Sequence, residues 1–449
     1  VGVACTLVVR SFGQNTVTVF IGEILIVSMK LLTVVLVGRS LGAEGQGIFS
    51  LVILGIGIAT MLGTLGMETA IVHFIGQKKA ASRDVVGNAL FIALATGGAL
   101  MTAGIAISGL GVLPTEKFDW NAFVLLAAPA VPAMLCHVVF CSSLLGHYKV
   151  GTYISVRGAQ AVALLALTAA LVRWSNLGFG APVVAYTVSM ILGALVSAAA
   201  AARADIFAAP KFSREVAGGI VRYGMQGYWG TLFQSLNYRL DQFVIALFWD
   251  ERTVGYYAVA VMVAEAVWYI PNSISVVLLP KAALSTPEKA NVLTAMVARN
   301  TLFITIITCG AVASLGGLVI SIAWSGRPDF LVAVTPMRLL LPGVLFLGLW
   351  KIVANDLAGR GFPKYKSWTA GAALVATLVL DFALIPTWGN NGAAIASSVA
   401  YVVSATMLLV IFCRLTGVKL WEMLVVKPSD FRVYVQQLLH RRAAKKEAM

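Results

Sequence analysis

A handful of charged side chains stand inside long apolar runs of this sequence: Glu23, Lys30, Arg239, Asp241, Glu265, Lys351 and Asp381. Away from water an ionised group needs a counter-charge or a full set of hydrogen bonds, so each of these has a partner or a task. A lysine or arginine in such a place can hold an anion by charge-assisted hydrogen bonds, and a carboxylate can hold a proton, a sodium ion or a cationic neighbour. Glu23 and Lys30 are close to two helical turns apart and share a face. Gln226, Gly230, Gln234, Asn237 and Asp241 repeat every three or four residues and form a polar stripe. On a continuous helix Arg239 would stand about 160° around from that stripe. Two readings of Lys30 and Arg239 stand side by side: pairing with Glu23, Glu265 or Asp381 to hold helices together, or contact with an anionic ligand. Gln234 and Asn237 join them as candidate cavity residues. Asp241 and Glu265 are candidates to carry a coupling proton or sodium ion, against a structural hydrogen-bonding role. Lys351, followed by Asp356, reads either as a cavity cation or as a side chain snorkelling to a rim.

Other chemistry is not indicated. The cysteines (Cys5, Cys136, Cys141, Cys309, Cys413) show no CxxC or Cys/His spacing and read as small apolar filler, so no metal site is expected. His73, His137 and His147 lack a catalytic partner at helical spacing, and no glycine-rich phosphate loop precedes a Lys-Ser/Thr. Neither an enzyme nor a cofactor is expected. Tyr228, Trp229, Tyr256, Tyr257, Trp268 and Tyr269 read as an interfacial aromatic belt rather than a sugar platform.

The elements that must position these residues are membrane helices. With 59% hydrophobic and 12% charged residues and a mean hydropathy of +0.89, the chain cannot cover itself with a water-facing surface. The net charge of +14 lies in short clusters between apolar runs, which excludes a nucleic-acid-binding domain and reads as topology signals facing anionic lipid. A span needs about 20 residues. Twelve candidates result: 17–38, 47–67, 86–110, 122–144, 154–173 and 181–203, then 223–248, 254–279, 301–325, 333–355, 369–387 and 391–413. Basic residues crowd alternate loops (Lys78, Lys79, Arg83; Lys149, Arg157; Arg203, Lys211, Arg214, Arg222; Lys281, Lys289, Arg299; Arg360, Lys364, Lys366). The opposite loops mix charges, as in Lys117 with Glu116 and Asp119. The positive-inside rule then puts both termini in the cytoplasm, as an even span count requires. No cleavable signal peptide is evident.

The chain also repeats itself. Gly38-Arg-Ser-Leu-Gly-Ala-Glu-Gly-Gln-Gly47 after the first span corresponds to Phe248-Trp-Asp-Glu-Arg-Thr-Val-Gly255 after the seventh, with Gly47 aligned on Gly255. Leu145-Gly-His-Tyr-Lys149 corresponds to Ala358-Gly-Arg-Gly-Phe-Pro-Lys364, and Gly180-Ala181 to Gly392-Ala393. The expected organisation is a segment 1–16, an N-lobe 17–203, a linker 204–222 containing Pro210, a C-lobe 223–413, and a basic amphipathic tail 414–449. Six spans per lobe make the repeats parallel. In the tail, Ser429 can cap a helix with Phe431, Tyr434, Val435, Leu438 and Leu439 on one face, lying on the bilayer.

Ser235-Leu-Asn-Tyr-Arg-Leu-Asp241-Gln-Phe-Val-Ile, the Gly38–Phe49 segment, and Asp381-Phe-Ala-Leu-Ile-Pro386 leading into Gly389-Asn-Asn-Gly392 resemble the polysaccharide and O-antigen (Wzx-type) flippases of the multidrug/oligosaccharidyl-lipid/polysaccharide (MOP) exporter superfamily. The resemblance spans nearly the whole chain. It implies an all-α polytopic membrane protein of two parallel six-helix lobes, resident in the cytoplasmic (inner) membrane. It further implies alternating-access movement of a lipid-linked oligosaccharide, typically on undecaprenyl diphosphate, for surface polysaccharide biosynthesis. Proton or sodium coupling and contact with other polysaccharide-assembly proteins go with it. Lys30 aligns with Tyr238, next to Arg239, so each lobe would bring a cation to a similar place for the diphosphate. A MATE-type cation-coupled multidrug exporter of the same superfamily is the alternative. A membrane-bound glycan polymerase or ligase would need a large extracytoplasmic loop, and none is present.

Overall fold

The structure is a computed structural model that describes residues 2–110, 119–206, 212–284, 286–362 and 364–427, with the side chains of 2–20, 276, 277 and 279–285 excluded. Glu116 and Lys117, Pro210 and Lys211 of the linker, and the tail residues from Ser429 onward lie outside the described residues, as do the side chains of Cys5 and Lys281.

Among the described residues the fold is helical throughout. The helices are α1 (Gly2–Thr64), α2 (Met67–Gly76), α3 (Ser82–Gly109), α4 (Trp120–Ala127), α5 (Ala130–Gly146), α6 (Val150–Trp174), α7 (Gly180–Arg203), α8 (Arg214–Asn237) and α9 (Leu240–Phe248). They continue with α10 (Glu251–Glu265), α11 (Tyr269–Leu284), α12 (Pro287–Ala323), α13 (Val334–Gly359), α14 (Lys364–Thr416) and α15 (Leu420–Leu424). Nine stretches among the described residues are long and apolar enough to cross a membrane. Two of these are doublets. α1 breaks at Gly42 (φ 74°) and α14 at Gly389 (φ 51°), left-handed conformations that glycine adopts without penalty. In α14 the chain reverses at the break, since Ser404 Oγ donates to the Thr369 carbonyl at 3.1 Å, 35 residues away in sequence. Counting each doublet as two crossings gives eleven among the described residues, and the α8–α9 pair, interrupted at Tyr238 and Arg239, has the length of one more, in keeping with the expected count of about twelve.

The lipid-facing side is plain on α12, where Ile304, Ile307, Leu315, Leu318 and Ile322 are all exposed at helical spacing. Such a continuous exposed apolar stripe belongs in hydrocarbon, not in water.

The chain divides into two compact units. The first comprises Val1–Leu232 with Glu251–Gly255 and Ala323–Arg327; the second comprises Phe233–Asp250, Tyr256–Ile322 and Pro328–Met449. In the first, α1 packs on α6 and α5, α6 and α5 on α7, and α3 on α5, around a core that includes Ile48, Phe49, Met67, Ile71, Leu135 and Leu144. Within this unit α1 crosses the first turn of α10 at Gly47 and Gly255. A Cβ on Gly47 would overlap the Glu251 carbonyl and stand 3.0 Å from Gly255 N; one on Gly255 would overlap the Ala43 carbonyl and stand 3.1 Å from Gly47 N. The contact is reciprocal, each glycine meeting the carbonyl four residues before the other. In the second unit α13 packs on α14 and α11, and α9 on α14.

Candidate functional site

Each unit holds a polar cluster of its own. In the first, Glu23 and Lys30 come from α1 and Tyr153 and Arg157 from α6. Arg157 donates to both carboxylate oxygens of Glu23 and, at 3.0 Å, to the Tyr153 hydroxyl, with its guanidinium 5.2 Å from the Tyr153 ring centre. Arg157, assigned above to a cytoplasmic loop, therefore stands inside the span. Because α6 begins at Val150, Arg157 is about 10 Å along the helix axis, deep enough to need a counter-ion. Glu23 is thus taken by Arg157. Lys30 is exposed and makes no hydrogen bond or ion pair among the described residues.

In the second unit the expected continuous span 7 is broken. The helix stops at Asn237 and resumes at Leu240, with Arg239 at φ −136° in the gap. The angle drawn along one unbroken helix does not carry across this gap. Arg239 turns to Glu265 at the end of α10, at 3.1 Å, and Glu265 lines the same pocket as Asp241. Asp241, in the first turn of α9, accepts hydrogen bonds from its neighbour's Gln242 N–H (2.8 Å), the Tyr257 hydroxyl (2.5 Å) and the Ser397 hydroxyl (3.1 Å). A carboxylate at a helix N-terminus with three donors is well solvated by protein. Asn237 Oδ1 accepts from the Thr377 hydroxyl at 2.5 Å, and Gln234 is buried one turn earlier. Lys351 turns to aromatic rings. Its ammonium lies 4.2 Å from the Trp268 ring centre and 5.8 Å from that of Tyr238, a cation–π arrangement.

Asp381 is the residue that sequence reasoning undervalued. Its position in an apolar run marks it as an intramembrane charge, and no spacing on its own helix joins it to the candidate site. It is fully buried on α14, and neither carboxylate oxygen has a hydrogen-bond partner among the described residues. A buried, unpartnered carboxyl costs about 1 to 3 kcal/mol. We expect Asp381→Leu to raise the melting temperature of the purified protein in sodium-free buffer. A lower melting temperature than wild type would show that Asp381 is structural. Tyr257, Thr377 and Ser397 were also missed, because hydroxyls scattered over three spans carry no pattern until the helices pack.

The aromatic set divides. Trp229 and Tyr269 are half exposed, as a belt requires, whereas Tyr228, Tyr257 and Trp268 are buried. Tyr238, Trp268 and Tyr401 cluster with ring centres 4.7 to 6.2 Å apart. His147 is not isolated: its Nε2 is 3.0 Å from Ser82 Oγ, but its Nδ1 faces the Ser143 carbonyl and, among the described residues, no carboxylate completes a triad there.

Solved structures of similar architecture bear on what this arrangement is. The lipid II flippase MurJ in an inward closed conformation matches with a TM-score of 0.75 at 16% identity, covering 89% of this chain and 87% of that one. The MATE transporter VcmN of Vibrio cholerae matches with a TM-score of 0.65 at 14% identity, covering 92% and 98%. A MOP superfamily transporter from Pyrococcus furiosus, whose binding pocket is described as of reverse polarity, matches at 0.63 and 13% identity, covering 90% and 94%. A sequence search of curated proteins finds no match. The fold is therefore that of the MOP transporters, a multi-pass membrane protein. Residues 12–283, more than half of the chain, match the family described as polysaccharide biosynthesis protein, and the chain belongs to that family.

Proposed function

We propose that the protein flips a lipid-linked oligosaccharide, carried on undecaprenyl diphosphate, from the inner to the outer leaflet of the cytoplasmic membrane, for surface polysaccharide biosynthesis. The observation that carries this reading is the family match over residues 12–283. The higher TM-score to the lipid II flippase, 0.75 against 0.62 to 0.66 for the MATE structures, supports it. The physics is that of a hidden charge. A diphosphate cannot cross hydrocarbon unpaired, so the protein replaces its hydration with cations while the polyprenyl tail stays in lipid. Lys30, with no acidic partner of its own, is the cation best free to do so in the first unit; Arg239 and Lys351 are its counterparts in the second.

In this reading the repeats 17–203 and 223–413 work as two lobes joined by the linker 204–222, both termini are cytoplasmic, and access alternates between the two sides. A proton or sodium ion at Asp241 and Asp381 drives the cycle. Lipid analysis of a deletion strain tests the assignment. We expect one lipid-diphosphate oligosaccharide to accumulate in the inner leaflet. Unchanged lipids together with raised sensitivity to cationic drugs would instead establish a multidrug exporter.

A further inference from the structure

In the second unit one small pocket is bordered by Asp241, Tyr257, Glu265, Trp268 and Tyr401. It has room for about one water molecule. Two of its buried polar atoms, Trp268 Nε1 and Glu265 Oε1, have no hydrogen-bond partner among the described residues. Trp268 is only 7% exposed, so bulk water does not reach its N–H. Buried polar atoms are almost always satisfied, and a pocket of this size next to two orphans can hold one ordered water.

We infer that this pocket holds a relay water through which a proton passes between Asp241 and Glu265, and that Glu265 thereby decides whether Arg239 is free to hold the diphosphate. The inference rests on the flippase reading above. The water accepts the Trp268 N–H and donates to Glu265 Oε1. When a protonated Asp241 gives its proton to the water, the water gives one of its own to the Glu265 carboxylate; one O–H bond breaks and one forms at each end, and the water is unchanged. Neutral Glu265 no longer holds Arg239, which now stands 3.1 Å away and whose side chain is 40% exposed. The guanidinium is released toward an anion. The other charged and titratable groups around Glu265 are Lys351, stacked on Trp268, and the hydroxyls of Tyr238, Tyr257 and Tyr401, which line the same pocket. The buried carboxyl of Asp381 is the other acidic group close enough to interact with Asp241. Glu265 and the diphosphate compete for one arginine, so loading a proton and binding the head group favour each other by linkage.

The test is binding of undecaprenyl-diphosphate N-acetylglucosamine to the full chain in nanodiscs, titrated from about pH 5.5 to about pH 8. Each phosphate of this probe carries one ester and one anhydride bond and keeps only one strongly acidic hydroxyl, so its own charge is constant over the range. Wild type should bind about 10-fold more tightly at the acid end. Glu265→Gln should bind tightly at every pH, whereas Trp268→Phe, which keeps the ring and loses the N–H, should keep the equilibrium pH profile but reach the new affinity about 10-fold more slowly after a pH jump. A wild-type pH profile in Glu265→Gln would overturn the inference; if that variant does not fold, a wild-type response rate to the pH jump in Trp268→Phe overturns it. Binding by wild type that follows sodium rather than pH also overturns it. Absence of binding at any pH would instead sink the flippase reading itself, so the two failures are distinguishable.

Discussion

Lys30→Glu is expected to cut flipping by at least about 100-fold, because it removes a charge-assisted hydrogen bond to the diphosphate worth about 1.5 to 3 kcal/mol and puts a repelling charge in its place. The melting temperature of the purified protein should barely move. Lys30 has no ion pair among the described residues, so its loss orphans nothing. Lys30→Arg should keep part of the activity, since charge matters more than shape for a mobile phosphate.

The other cations are expected to behave differently. Arg157→Glu and Arg239→Glu each strand a carboxylate, that of Glu23 or Glu265, and put a like charge against it. They should lose about 1 to 3 kcal/mol of stability as well as activity, less than a sealed pair would because both pairs keep some exposure. Transport and melting measured on the same purified variants make the comparison. Transport near wild type in Lys30→Glu would end the case for a cationic head-group site and favour the drug exporter.

Gly47→Ala is the substitution with the largest expected effect on stability, about 3 kcal/mol. The added methyl would have to share space with the Glu251 carbonyl, and a backbone atom cannot swing aside as a side-chain tip can. Gly255→Ala meets the Ala43 carbonyl in the same way and should cost as much. The double variant should cost little more than either alone, because once the helices part for one methyl they have parted for both. Gly55→Ala and Gly57→Ala are the controls. A Cβ at either meets nothing within 4 Å, so they should be neutral or slightly stabilising through helix propensity. Thermal melting in detergent separates these outcomes, and a Gly47→Ala protein as stable as wild type would mean the crossing is not a feature of the folded protein.

Much of this protein was legible from its residues alone. Helices, their number and their membrane setting follow from apolar runs of span length, since a bilayer admits few other solutions. The family followed from motifs around Asp241, Gly47 and Asp381, and the aligned glycines Gly47 and Gly255 were visible as a repeat. What sequence could not settle is who faces whom. Helical spacing relates residues on one helix, whereas ion pairs such as Glu23 with Arg157 and Arg239 with Glu265 join different helices. The break between Asn237 and Leu240 has no proline or glycine to announce it and is set by what Arg239 and Asp241 find on α10 and α14. Asp381 looked like any intramembrane acid until packing closed around it without a donor. Local chemistry and periodicity therefore determined the elements and their solvent, while packing of distant segments alone decided which charges are paired within the fold and which, like Lys30, have no ion pair among the described residues.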